Sequence, residues 1–147
     1  MLNLKDQSLL RQAGLINGEW TAACSGKTIN VIDPATQGII GTVPDMGGEE
    51  TRAAIVAAEA AFKTWKAKTN AERALIIEKW FDLMIENLED LALILTSEQG
   101  KPLDEARGEI RYGASFVKWF AEEARRIKGH TIPAPSRDRR IIVLKEA

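Results

Sequence analysis

The spacing of apolar positions changes character once along the chain, near Gly47-Gly48. Before that point apolar residues come in short, roughly alternating runs broken by turn residues, which predicts strands. After it they recur every three or four residues as far as Ile127, which predicts helices. Residues 1–13 are polar with scattered leucines and read as a short helix or an arm. Leu15-Ile16, Asn17-Gly18 and Glu19-Trp20-Thr21 predict a hairpin, because Asn-Gly suits the positive backbone angles of a two-residue turn. Ser25-Gly26-Lys27 is a second turn, and the runs 28–32 and 38–43 predict two more strands with a turn at Gln37-Gly38.

Three helical patterns follow. The first opens with Glu49 and Glu50, which suit a helix N-terminus, and its stripe is Ala54, Ile55, Ala58, Ala61, Phe62 and Trp65. The second begins at a capping box, Thr69 with Glu72 three residues on. Its stripe is Ile77, Phe81, Met84, Leu88, Leu91 and Leu95, with an expected break near Asn87. The third takes Pro102 as its first residue and runs Leu103, Ala106, Ile110, Gly113, Val117, Phe120, Ala124, Ile127. Small residues at 106, 113 and 124, with Gly108, are expected to admit a neighbouring helix closely. Lys118–Glu122 and Glu122–Arg126 have the spacing of surface ion pairs. Tyr112, Phe116 and Trp119 form a second apolar line, so this helix needs two partners.

After Gly129 the chain reads as an extended loop. Ile141-Ile142-Val143-Leu144 then predicts a strand buried on both faces, with the N-terminal hairpins as candidate neighbours and an open edge. The segment is thus α+β: N-terminal β-hairpins, three to four long helices and one C-terminal strand.

Composition narrows the classes of function. With 147 residues, 45% hydrophobic, the chain can bury a core. A net charge of −1 forces no face to be basic, so no nucleic-acid partner is expected. No run is long and apolar enough for a membrane span, and a cytoplasmic location is expected. The single cysteine, Cys24, excludes an internal disulfide, and the single histidine, His130, excludes a metal site with two imidazoles. Nothing pairs Cys24 with His130 as nucleophile and base. Gly47-Gly48 and Gly38/Gly41 fit neither a dinucleotide fingerprint nor a P-loop. The residues themselves present no catalytic centre. "SEQGKPL" at 97–103 reads as a helix stop at Gly100 followed by a start at Pro102.

The order of several short motifs adds more. "LINGEW" (15–20), "DPAT" (33–36), "GTVPDM" (41–46), "EETRAAI" (49–55), "ERA" (72–74), "SEQGKPL", "EARGEI" (105–110) and "GHTIP" (129–133) together resemble the N-terminal part of NAD(P)-dependent aldehyde dehydrogenases. Within them, "WFDLMIENLEDLA" and "SFVKWFAEEARRI" resemble the succinate- and glutarate-semialdehyde branch.

The resemblance implies an α/β parent with a Rossmann-like cofactor domain, a catalytic domain and a small oligomerisation sheet. In such a parent a cysteine thiolate attacks the aldehyde, hydride passes to NAD or NADP, and water releases the acid. It implies that residues 1–128 belong to the cofactor-binding domain and 129–147 start the oligomerisation sheet of a dimer or tetramer. It implies that nucleophile, general base and cofactor glycines lie in the rest of the enzyme, that Cys24 is not the nucleophile, and that this segment alone is inactive. Glu98 and the backbone near Val31–Ile32 would help hold Na+ or K+, and Tyr112 would stand at the substrate-tunnel entrance. The competing expectation is a standalone helical interaction module derived from that family.

Overall fold

The computed structural model describes residues 2–146. A short 3-10 turn, Gln7–Leu9, precedes β1 (Gly14–Ile16), β2 (Glu19–Thr21), β3 (Thr28–Ile32) and β4 (Ile39–Pro44). Helices α1 (Gly48–Ala67), α2 (Asn70–Glu86), α3 (Leu88–Gln99) and α4 (Leu103–Ala124) follow, then β5 (His130–Ile132) and β6 (Ile141–Val143). The strands pair as three antiparallel ribbons, β1 with β2, β3 with β4 and β5 with β6.

Local chemistry accounts for the boundaries. Asn17 and Gly18 turn the first hairpin with φ of 52° and 81°. Thr69 caps α2: its hydroxyl oxygen accepts from the Glu72 amide at 3.2 Å, while the Glu72 carboxylate accepts from the Thr69 amide at 2.7 Å. The long apolar run breaks at Asn87, as expected, giving α2 and α3. Gly100 ends α3 in the left-handed region, φ 79°.

α4 packs along α2 and α3, and the fully buried positions of these helices are alanines. Ala74 on α2, Ala92 on α3 and Ala106, Ala114 and Ala121 on α4 are fully buried. Among the described residues no large side chain is fully buried. The N-terminal arm is tied to this bundle by Asp90, which is buried on α3. Its carboxylate accepts from the amides of Lys5 and Asp6 at 3.0 and 2.9 Å.

Several expectations need correction. Pro102 is the N-cap of α4 rather than its first residue. Phe120 is 62% exposed; the helix is rotated so that Ala114 and Ala121 face its neighbours. A Cβ on Gly108 or Gly113 would meet nothing within 4 Å, so neither glycine serves a close approach between the described helices. The Lys118–Glu122–Arg126 pairs do not form: Arg125 reaches across to Glu78 on α2, Arg126 takes Glu123, and the Lys118 ammonium lies over the Phe81 ring. The C-terminal strand is not single and not buried. β6 pairs with β5 in an exposed ribbon, and the N-terminal hairpins do not reach it. Its four apolar residues ask for cover that the described residues do not supply.

Candidate functional site

Glu98 and Val31 lie far apart in sequence and meet at one place. The β3–β4 ribbon carries an irregularity between Val31 and Ile32, where the strand slips register before the "DPAT" turn. That turn is held by Asp33, whose carboxylate accepts from the Ala35 amide at 2.8 Å. Pro34 of the turn then packs against Gly100, so tightly that a Cβ there would lie 2.8 Å from Pro34 Cγ. The contact seats the last turn of α3, with Glu98, against the ribbon. Between them is a recess of about 20 Å³ lined by Val31, Gly41, Thr42, Gln12 and Glu98, among others. That is room for one water-sized occupant.

The lining sets one carboxylate, Glu98, with the Gln12 amide, Thr42 and backbone oxygens, among the apolar Leu10, Val31, Ile40 and Val43 and beside one cation, Arg11. Gln12, which sequence reading did not single out, turns its Oε1 to the Thr42 amide at 2.8 Å and closes the recess on one side. Among the described residues no group of three or more His, Cys, Asp or Glu is arranged to hold a metal ion. One carboxylate with backbone and amide oxygens suits a hard monovalent ion better than a divalent or transition metal.

Tyr112 is 66% exposed on α4 and meets Phe116 edge to face, centroids 4.8 Å apart. Trp119 continues the line at 59% exposed. Gly108, four residues before Tyr112, leaves open space beside it. These residues form one solvent-facing aromatic side of the helix.

The other candidates are kept apart. Cys24 lines a recess with Glu49 and Glu50 at the start of α1, whereas His130 lines another beside Lys128 and Leu144. A hydrogen bond from the thiol to Glu50, and the charges of Glu49 and Glu50, raise the Cys24 pKa and disfavour the thiolate. The Glu50 carboxylate accepts from the Cys24 amide at 2.6 Å and the Gly47 amide at 2.8 Å. These amides, with its own, hold its pKa down at about 2. The one glycine-bearing turn between a strand and a helix, Gly47-Gly48, is therefore already filled by a carboxylate. It does not fit a dinucleotide pyrophosphate.

Comparison with known proteins decides the family. A family profile described as "Aldehyde dehydrogenase family" matches residues 20–147. The chain belongs to the aldehyde dehydrogenase family. It is 57% identical over 145 residues to a glutarate-semialdehyde dehydrogenase of Pseudomonas putida, covering 99% of this chain and 30% of that one. It is 54% identical to the NADP(+) succinate-semialdehyde dehydrogenase of Escherichia coli, with the same coverage. The solved succinate-semialdehyde dehydrogenase of Burkholderia pseudomallei superposes with a TM-score of 0.92 at 57% identity, over 95% of this chain and 29% of that one. The chain thus spans about 30% of the length of the dehydrogenases it matches, at their N-terminal end. No helix among the described residues is long and apolar enough to cross a membrane.

Proposed function

We propose that this chain is the N-terminal part of a semialdehyde dehydrogenase that oxidises succinate or glutarate semialdehyde to the dicarboxylate with NAD or NADP. The observation that carries the reading is the match of nearly the whole chain, at 54–57% identity, to one end of enzymes with those names. The cofactor would supply the hydride acceptor, and its site belongs to the remainder of the enzyme. Residues 1–128 are read as part of the cofactor-binding domain and 129–147 as the start of the oligomerisation sheet of a dimer or tetramer. A cytoplasmic setting suits the exposed thiol of Cys24. The alternative, a standalone interaction module, draws no support from the relatives named, all of which are dehydrogenases.

Within that enzyme the segment's own residues position and do not react. Glu98 and the backbone at Val31 would hold Na+ or K+, and the small recess they share supports this. Such an ion would pin α3 to the β3–β4 ribbon by replacing water in a gap that no side chain fills. Tyr112 would stand at the entrance of the substrate tunnel, where its exposed ring and the space over Gly108 leave room for an extended substrate. Its phenol offers one hydrogen bond at the rim and no nucleophile.

The test is NAD(P)H formation by the full-length protein with succinate and glutarate semialdehyde. Turnover is expected with at least one of them, and none from residues 1–147 alone. A full-length protein inert to both semialdehydes overturns the substrate reading. Glu98→Gln should abolish any dependence of thermal stability on K+ or Na+; an unchanged dependence removes Glu98 from the ion.

A further inference from the structure

The N-terminal arm is fastened to the same two elements that meet at the Glu98 recess. One end is held on α3. There the Asp90 carboxylate, about two helical turns before Glu98, accepts from the Lys5 and Asp6 amides at 3.0 and 2.9 Å. The other end is held on β4. Gln12 Oε1 accepts from the Thr42 amide at 2.8 Å and from the Thr42 hydroxyl at 3.4 Å. A Cβ on Gly41 would lie 3.0 Å from that oxygen, so the glycine leaves the space the Gln12 amide occupies. Leu10, Arg11 and Gln12 of the arm line the recess together with Glu98.

Between its two ends the arm is not slack. Leu4 is buried, and the Gln7 side-chain amide donates to the Leu2 and Leu4 carbonyls at 2.9 and 3.2 Å. Asp6 joins the clamp to the turn that follows it. Its amide goes to Asp90, its carboxylate accepts from the Ser8 amide at 2.8 Å, and its carbonyl accepts from the Leu9 amide at 3.2 Å. Between that turn and Gln12 stand only Leu10 and Arg11. The Arg11 guanidinium lies over the Trp20 ring, 4.9 Å from its centroid. Among the described residues Glu98 forms no ion pair with Arg11 or with any other cation. The carboxylate on the recess thus keeps its charge free for an ion, and a shift at either end of the arm is carried to the other.

We propose that the arm closes the ion recess, with Gln12 and Asp90 as positioning residues, so that docking of the arm and binding of Na+ or K+ strengthen each other. The inference rests on the reading of Glu98 as an ion ligand. Glu98 comes from α3 and the Val31 backbone from the ribbon, so the ion needs these two elements at one fixed separation. The arm spans the same gap from Asp90 to Thr42 and sets that separation. Whichever forms first has already fixed the gap, and the second then loses less conformational freedom. Linkage makes the effect reciprocal: the ion must hold the arm down as the arm tightens the ion. Every contact of the arm named above lies within the described residues, so the coupling does not depend on which surfaces the rest of the enzyme covers.

The test uses the full-length protein in K+, in Na+ and in tetramethylammonium, a cation too large for the recess, at constant ionic strength. Exchange of the Lys5 and Asp6 amides, read by mass spectrometry, should slow about fivefold or more in the ion that raises Tm. Gln12→Ala and Asp90→Asn should each weaken that ion by about the same order, read from the rise of Tm with its concentration. Gln12 is exposed, so its loss leaves the fold intact. Should Asp90→Asn fail to fold, Gly41→Ala, which pushes the Gln12 oxygen off its place, carries the same expectation. A strap that is merely structural would lower Tm equally in all three salts. If an ion stabilises the wild type and Glu98→Gln removes the effect, the ion reading stands. Arm amides that then exchange at one rate in every salt, or folded variants that keep the wild-type affinity, overturn the proposal alone. If neither ion stabilises the wild type, or Glu98→Gln keeps the effect, the ion reading falls and the proposal with it.

Discussion

Gly100→Ala is the sharpest local probe of how the Glu98 recess is built. Gly100 has φ 79°, where an alanine costs about 1–2 kcal/mol in backbone strain. Restricting the unfolded chain returns about 0.4–1 kcal/mol. A second penalty follows from the neighbour: the new Cβ would sit 2.8 Å from Pro34 Cγ, so the "DPAT" turn or the end of α3 must move. Overpacking of this kind costs about 1–3 kcal/mol. The total is about 1–5 kcal/mol, centred near 3. Gly18→Ala isolates the first part, because Gly18 has φ 81° and nothing within 4 Å of the added carbon. In urea denaturation the Gly100 variant should lose about 1–3 kcal/mol more than the Gly18 variant. Adding Pro34→Ala to Gly100→Ala should recover part of that excess, as a double-mutant cycle would register. Equal losses for the two glycines would refute the claim that the Pro34 contact seats Glu98.

Asp90→Ala removes the acceptor of two backbone amides and should cost about 2 kcal/mol, with limited proteolysis then cutting residues 2–9 faster. Glu50 has its pKa lowered from 4.5 to about 2, so its contribution is fully present above pH 4.5 and is lost as pH falls toward 2. Acid titration of Glu50→Gln should therefore show a flatter stability profile across that window than the wild type. Gly129→Ala would drive a Cβ into the Val143 carbonyl, a backbone atom that cannot swing aside. Amide exchange should show β5 and β6 losing their protection in that variant while α2 and α4 keep theirs.

Legibility in the sequence followed the range of the interaction. The Asn17-Gly18 turn, the Thr69–Glu72 cap, the Asn87 break and the Gly100 stop are each settled within a few residues, and each was readable. The face that α4 turns inward was not. Its periodicity allowed Phe120 or Ala121 at the seam, and the choice fell to the helices across from it, which bury Ala121 and leave Phe120 exposed. The β5–β6 ribbon was missed for a related reason: Ile141-Ile142-Val143-Leu144 records burial that the described residues do not provide, so its pattern pointed to a sheet that they do not form. The joining of Val31 with Glu98 was reached only through family resemblance. No local pattern announces that Gly100 will rest on Pro34, or that Gln12 will close the recess.

The central claim is that the exposed aromatic side of α4 and the bare β5–β6 ribbon are inner surfaces of a larger dehydrogenase. Oxidative side-chain footprinting of residues 1–147 beside the full-length protein tests this most directly. Tyr112, Phe116, Trp119, Ile141 and Ile142 should label readily in the short chain and fall several-fold in the full-length protein. Lys79 and Glu86, which carry no apolar demand, should not change. Equal labelling of the aromatic line and the ribbon in both would contradict the account.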